Sequence, residues 1–304
     1  MTFVVITNSA DVHADFLVRA AERESVELVR INTDHIRQRG EVFWASDGGS
    51  LYSVDGREIR FADAKVVYSR RPRAATLDAE DWAERFINKE WDHLDAALCD
   101  AATLCINPLV AERAKNRLIQ LRVAREAGLS VPETLISTSA SKLREFASGR
   151  RCITKGINNS YVRHQGRIYS AFTQTVETDD LVEYESGVPT LLQAYIRPCA
   201  YWRVVTLLER LFAFRHVGAA LEADVDSRRV ELQLEGQQAE LPESIAHGLS
   251  RMRSRLHYNF ASSDFVEDAE GRLWFLDLNP SGQWAFLEER FDVPLSHHFV
   301  RLAR

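Results

Sequence analysis

The chain has 304 residues, 45% of them hydrophobic and 27% charged, with a formal net charge of −6. That length is too great for one small core and fits two or three packed subdomains, and the acidic balance argues against a general nucleic-acid binder, which is usually basic. No apolar run approaches the roughly 20 residues of a membrane span, and the N-terminus lacks the basic start of a signal peptide, so a cytoplasmic protein with no membrane partner is expected.

Residues 3–6 read as a short apolar strand. Residues 11–24 then place Val12, Phe16, Leu17, Ala20 and Ala21 at a helical period, and 27–31 return to strand. This βαβ start predicts a parallel sheet. Residues 42–45, 51–54 and 58–61 are short strands, with Asp55-Gly56 as a hairpin turn between the last two. Residues 66–68 form another buried strand, stopped by Arg70-Arg71-Pro72-Arg73. A helix is expected over 78–104, with Trp82, Phe86 and Leu94 on one side. Asn107-Pro108 breaks the chain and marks a candidate domain boundary. A helix over 111–127 follows, ended by Gly128. Residues 152–155, 191–196, 201–208 and 211–217 read as strands, and 242–256 as a helix. A hairpin over 263–279 and a short C-terminal helix close the chain. Cys99, Cys105, Cys152 and Cys199 match no metal-ligand spacing and read as buried, reduced thiols.

The hairpin carries the chemistry. With a two-residue turn at Glu270-Gly271, Asp264 stands opposite Asp277, and Asn279, two residues on, shares the Asp277 face. Two carboxylates and an amide oxygen on a rigid sheet suit a hard cation such as Mg²⁺, which completes its octahedron with water and phosphate. Lys155 ends an apolar strand before Gly156-Ile157-Asn158-Asn159-Ser160, a combination suited to neutralising and covering phosphates. The apolar strand 191–196 carries one polar residue, Gln193, and can offer backbone groups to an adenine edge.

The order of these elements resembles the ATP-grasp superfamily, and more narrowly the ATP-grasp maturases of ribosomal peptides, the microviridin-type or graspetide synthetases. The likeness runs through Arg30-Ile31-Asn32-Thr33-Asp34, Tyr68-Ser69-Arg70-Arg71-Pro72, Gly128-Leu129-Ser130-Val131-Pro132-Glu133-Thr134 and Gln193-Ala194-Tyr195-Ile196. Its most specific stretch is 275–284, where Asp277-Leu278-Asn279 precedes Gly282-Gln283-Trp284. The resemblance implies an α/β ATP-grasp fold (α+β in part) with a Rossmann-like N-terminal domain over 1–107. It implies a central, lid-forming subdomain over 108–190 and a C-terminal subdomain over 191–304.

It also implies an ADP-forming ligase that activates a carboxylate as an acyl phosphate and modifies or macrocyclises a ribosomal peptide. In that reading Asp264, Asp277 and Asn279 hold Mg²⁺, Arg117 and Lys155 hold ATP phosphates, and Gln193, Ala194, Tyr195 and Ile196 hold adenine. Arg203, and less directly Arg215, stabilise the transferring phosphoryl group, while Arg70, Arg71, Asp226 and Arg228 meet the peptide. A homodimer is expected from the same resemblance. Arg117 replaces a usual lysine, Ala194 and Tyr201 replace usual acidic residues, and Asp277 replaces a longer Glu. Two other readings remain: a ligase joining an amino acid to a small molecule or a peptide end, and a non-catalytic ATP- or peptide-binding protein.

Overall fold

The computed structural model describes residues 2–35, 40–46, 50–54, 57–70, 82–107, 111, 114–157, 161–164, 167–170, 172–181, 187–218 and 235–304. The chain divides into two compact units. The first comprises 1–112, 257–262 and 280–304, and the second 113–256 and 263–279. The chain therefore leaves and re-enters the first unit more than once.

The first unit is built on a four-stranded parallel sheet in the order Glu27–Asn32, Thr2–Thr7, Ala64–Ser69, Leu104–Ile106. Thr2–Thr7 lies inside the sheet and is buried along almost its whole length, as a parallel strand covered on both faces must be. The helix Val12–Glu24 starts at Asp11, whose side chain accepts from the His13 N–H, and ends at Ser25 in the left-handed region. The predicted βαβ start is thus present. A three-stranded antiparallel sheet, Gly40–Trp44, Ser50–Val54 and Arg57–Arg60, sets Val54 opposite Arg57. The turn expected at Asp55-Gly56 lies outside the described residues.

The long helix is shorter than expected. It spans Trp82–Asp100, and Leu104–Ile106 instead adds a strand beside Ala64–Ser69, burying Cys105 and Ile106. Three apolar residues next to an open sheet edge gain backbone partners there, and this tertiary pairing outweighs helical periodicity. Leu94 packs on the core, whereas Trp82 and Phe86 are 74% and 59% exposed, so the expected common apolar side does not form.

A second core of this unit gathers around Trp284, which is fully buried. Its ring stacks on Phe299 at 5.0 Å, and Phe299 stacks on Tyr68 at 5.2 Å. The Trp284 N–H donates to His13 Nε2 (3.1 Å), so Nδ1 carries the ring proton and faces Asp11 at 3.2 Å. Arg70, only 1% exposed, donates to the carbonyls of Ser281 and Gly282 and lies 3.7 Å from Asp11. Burial opposes ionisation of Asp11, but hydrogen bonds from His13 and Thr7 and the Arg70 charge win, holding its carboxyl at about 2. Because the folded group ionises below its ordinary value of 3.8, ionisation favours the fold above pH 4, and that contribution disappears as the pH falls from about 4 to about 2. Denaturant titrations are expected to show wild type losing about 2 kcal/mol more than Asp11→Asn across that window. Equal losses would remove the assignment.

Asn107 ties the two segments that return to this unit. Its Nδ2 donates to the carbonyls of Phe260 and Pro280, both at 2.8 Å, and its Oδ1 accepts from the N–H groups of Asn259 and Phe260.

The second unit holds two antiparallel arrangements. One sheet runs Gln174–Val176, Cys152–Thr154, Thr190–Ala194, Thr134–Ser137, with Leu143 and Ala147 of the helix Ala140–Ala147 in its core. The other runs Glu235–Ala239, Arg210–Val217, Ala200–Leu207, Phe260–Glu267, Leu273–Asn279. The helix expected over 111–127 begins at Arg117 and runs to Glu126, because Asn116 caps it by accepting from Leu118 and Ile119. Gly128, at φ 83°, ends it as expected. Glu243–Leu256 is the predicted later helix. All four cysteines are free; Cys99, Cys105 and Cys152 are buried and Cys199 is exposed.

Candidate active site

The residues expected to bind Mg²⁺-ATP collect in the second unit around the strand Leu273–Asn279. The turn before it is longer than the two residues assumed from the sequence. The Asp268 N–H donates to the Arg272 carbonyl (3.1 Å) and the Gly271 N–H to the Asp268 carbonyl (3.1 Å), with Gly271 at φ 75°. Three residues, 269–271, thus form the loop, with glycine at the left-handed position such a bulged hairpin needs. The simple register that set Asp264 directly opposite Asp277 does not apply, but the two carboxylates are still neighbours electrostatically. Desolvation pushes the Asp277 carboxyl up, the cations of Arg117 and Lys155 pull it down, and the Asp264 charge raises it again. Asn279 follows two residues later at the strand end and is exposed.

Each carboxylate already faces a cation. Arg117, the first residue of its helix, holds Asp277 at 3.3 Å and also donates to the Gly156 carbonyl. Arg203 holds Asp264 through two hydrogen bonds of 2.9 and 3.4 Å. Lys155 Nζ donates to the carbonyl of Leu276, beside Asp277, at 3.3 Å. Five predicted residues, Arg117, Lys155, Arg203, Asp264 and Asp277, therefore form one cluster of alternating charge. Its donor set, two close carboxylates with an amide oxygen at the strand end, fits a hard divalent cation, and its three cations fit polyphosphate.

Other predicted residues lie elsewhere. Arg215 pairs across the sheet with Trp202, whereas Arg203 pairs with Phe214, so the two arginines occupy opposite sheet faces. Arg215 makes a two-pronged pair with Glu267 at 2.8 and 3.0 Å, which together with the Trp202 indole N–H keeps the Glu267 carboxyl below its ordinary value. Gln193 is fully buried and donates to Thr134 Oγ1 at 2.8 Å, tying two strands. The N–H groups of Ala194 and Tyr195 are given to the carbonyls of Glu133 and Arg151, and Arg151 lies over the Tyr195 ring. Ile196 is half-buried. Arg70 sits in the core of the first unit, and Arg71, Asp226 and Arg228 fall outside the described residues.

Sequence reasoning missed Gln120. This side chain is 2% exposed and grips Leu278, the residue between Asp277 and Asn279. Its Nε2 donates to the Leu278 carbonyl (2.6 Å) and its Oε1 accepts the Leu278 N–H (3.1 Å), while Nε2 also reaches the Ala114 carbonyl. One amide thus acts as a missing neighbouring strand for the segment that carries Asp277 and Asn279. A polar residue on the inward face of an amphipathic helix was the available signal. Gln120→Leu is expected to lower stability by about 1–3 kcal/mol, because two buried backbone groups lose their partner. Thermal denaturation against wild type measures this, and an unchanged midpoint would contradict the clasp.

No protein-family model and no curated protein matches the chain. Solved structures do. The macrocyclase MdnC of Microcystis aeruginosa, bound with precursor peptide MdnA, superposes with a TM-score of 0.84 at 21% identity, over 100% of this chain and 99% of that one. A RiPP-associated ATP-grasp ligase of Chryseobacterium gregarium, in complex with ADP and a leader and core peptide, gives 0.84 at 19% identity over 99% and 96%. The chain has the ATP-grasp fold. Macrocyclase MdnB of Microcystis aeruginosa shares this ATP-grasp architecture with a TM-score of 0.77 at 25% identity, over 99% and 98% of the two chains. Such full-length likeness at low identity is what a fold preserved by its core pattern produces.

Proposed function

We propose that the chain is an ATP-dependent ligase that activates a carboxylate of a ribosomal peptide and closes an ester or amide bond within that peptide. The observation that carries this reading is the cluster of Asp264 and Asp277 with Arg117, Lys155 and Arg203, in which two carboxylates sit among cations. Similar chains support it: MdnC is bound with a precursor peptide, and the ATP-grasp ligase PsnB (TM-score 0.78, 21% identity) is complexed with a precursor variant, Mg and ADP.

In this reading Asp264, Asp277 and Asn279 hold Mg²⁺, which when bound offsets the charge of the β- and γ-phosphates. Lys155 and Arg117 hold the phosphates, and the strand end at 193–196 borders adenine. The substrate carboxylate attacks the γ-phosphorus, the bond to the ADP oxygen breaks, and Arg203 stabilises the charge on the transferring group. A hydroxyl or amine then attacks the acyl carbon, loses its proton, and phosphate leaves. Arg117 and Arg203 exchange their carboxylate partners for phosphate oxygens as ATP enters, so the ion pairs hold both carboxylates in place beforehand. Arg215, locked to Glu267 on the other face, acts as a brace of the sheet.

Mass spectrometry of a candidate precursor peptide, incubated with the protein, ATP and Mg²⁺, tests the reading. A loss of about 18 Da per bond is expected, one water for each acyl transfer. A gain equal to an amino acid less water would favour the ligase that adds a building block. A cytoplasmic location and a homodimer belong to the same proposal, the second checked by light scattering; among the described residues no helix is long and apolar enough to cross a membrane.

A further inference from the structure

The second unit contains a pocket of about 560 Å³ that shares no residue with the ATP cluster. The helix Arg117–Glu126 supplies Arg122 and Arg125, three apart and therefore neighbours on one helical face. The opposite side supplies Arg272 and Trp274, two apart, with the Arg272 guanidinium 5.3 Å from the Trp274 ring centre. Apolar side chains, including Leu129 and Pro132, form the floor. The acidic residue in the lining, Glu133, is engaged by Arg150, which is not part of the pocket. Three arginines around an apolar floor, in a chain of net charge −6, form a local concentration of positive charge.

Two further features say what such a pocket takes. Its helical wall comes from the middle and last turn of Arg117–Glu126, not from the helix N-terminus, so the donors facing it are guanidinium groups rather than the backbone N–H nest that grips phosphate. Guanidinium forks match carboxylates, and the apolar floor with Trp274 suits the side chain beside a carboxylate rather than a bare anion. The pocket also runs through Glu133 and Thr134 into the strand Thr134–Ser137, which among the described residues pairs with Thr190–Ala194 alone and is the edge of its sheet. Alternate backbone groups of an edge strand stay open to an added extended chain.

We propose that this pocket binds an acidic, extended segment of a peptide, seating a Glu or Asp carboxylate between Arg122, Arg125 and Arg272 and its apolar neighbour on Trp274. It rests on the peptide-ligase reading, to which it adds a recognition site for an acidic stretch of the substrate, separate from the reacting carboxylate.

Titration calorimetry on the full chain tests this with an acetylated, amidated hexapeptide of alternating Glu and Leu, a Lys-and-Leu counterpart, and inorganic phosphate as a competitor. The Glu peptide is expected to bind at least tenfold more tightly than the Lys peptide and to weaken with added salt. The double variant Arg122→Gln/Arg125→Gln is expected to lose about tenfold or more of that affinity while binding Mg²⁺-ADP as wild type does, which also shows that it is folded. Equal affinity for the two peptides, an unchanged double variant, or displacement of the Glu peptide by millimolar phosphate would each overturn the proposal, the last by assigning the pocket to phosphate. If the Glu peptide binds as expected while no precursor peptide is ever ligated, the pocket stands and the ligase reading falls.

Discussion

Asp277→Asn is expected to remove the Mg²⁺ dependence of nucleotide binding and to reduce ADP formation at least 100-fold, with the fold retained. The wild-type carboxylate is the charge around which Arg117, Lys155 and Asp264 are arranged. An amide of the same shape keeps the packing but supplies a far weaker ligand for a hard divalent cation. It also leaves the Arg117 guanidinium without its charged partner, so phosphates are still drawn in while the cation is not. The measurement is calorimetric: Mg²⁺ should tighten ADP binding to wild type by about tenfold or more and leave the variant unchanged. Circular dichroism should be superimposable, because the Asp277 side chain is about one-third exposed (34%) and carries no core packing. If Mg²⁺ tightened ADP equally in both proteins, the metal assignment would fail.

Trp284→Ala is expected to be the most destabilising single change in the first unit. The ring is fully buried, stacked on Phe299 at 5.0 Å and met edge-on by His13 at 5.2 Å and Phe16 at 6.3 Å. Removing a packed indole leaves a cavity and costs about 3–5 kcal/mol, a large share of the roughly 5–15 kcal/mol that holds a domain together. Urea titration of the full chain should show a large fall in midpoint, and Trp284→Phe should recover much of it. An effect on peptide modification without loss of stability would instead point to a substrate contact. The residue thus explains the Gly282-Gln283-Trp284 signature in physical terms: Arg70 holds the carbonyls of Ser281 and Gly282, His13 accepts the Trp284 N–H, and the ring fills the core. Within the first unit these contacts make Trp284 and its neighbours core residues.

Much of the fold could be read along the chain because the periodicities are local. The alternation of strand, helix and strand at the start and the stop at Gly128 each depend on a few neighbouring residues. The errors occur where a hydrogen-bond partner, distant or local, overrides the apolar period. Leu104–Ile106 became a strand because Ala64–Ser69 offered an edge, and the helix from 111 shortened because Asn116 offered a cap. The cluster of Asp264, Asp277, Lys155, Arg117 and Arg203 was legible through residue type and order. Its pairing was not, since which cation faces which carboxylate depends on how separate strands lie together.

Sequence alone therefore supplied the donor types of the hairpin 263–279, since carboxylate and amide oxygens suit a hard cation where they converge. It also supplied the order of the elements expected to meet phosphate, adenine and metal. Only the tertiary structure decided that Arg70 and Trp284 are core residues, that Arg203 and Arg215 take opposite faces, and that Gln120 grips Leu278 between Asp277 and Asn279. These depend on burial and on long-range backbone partners, which a linear pattern of residue types does not encode, because a buried polar group is defined by the distant atoms that satisfy it.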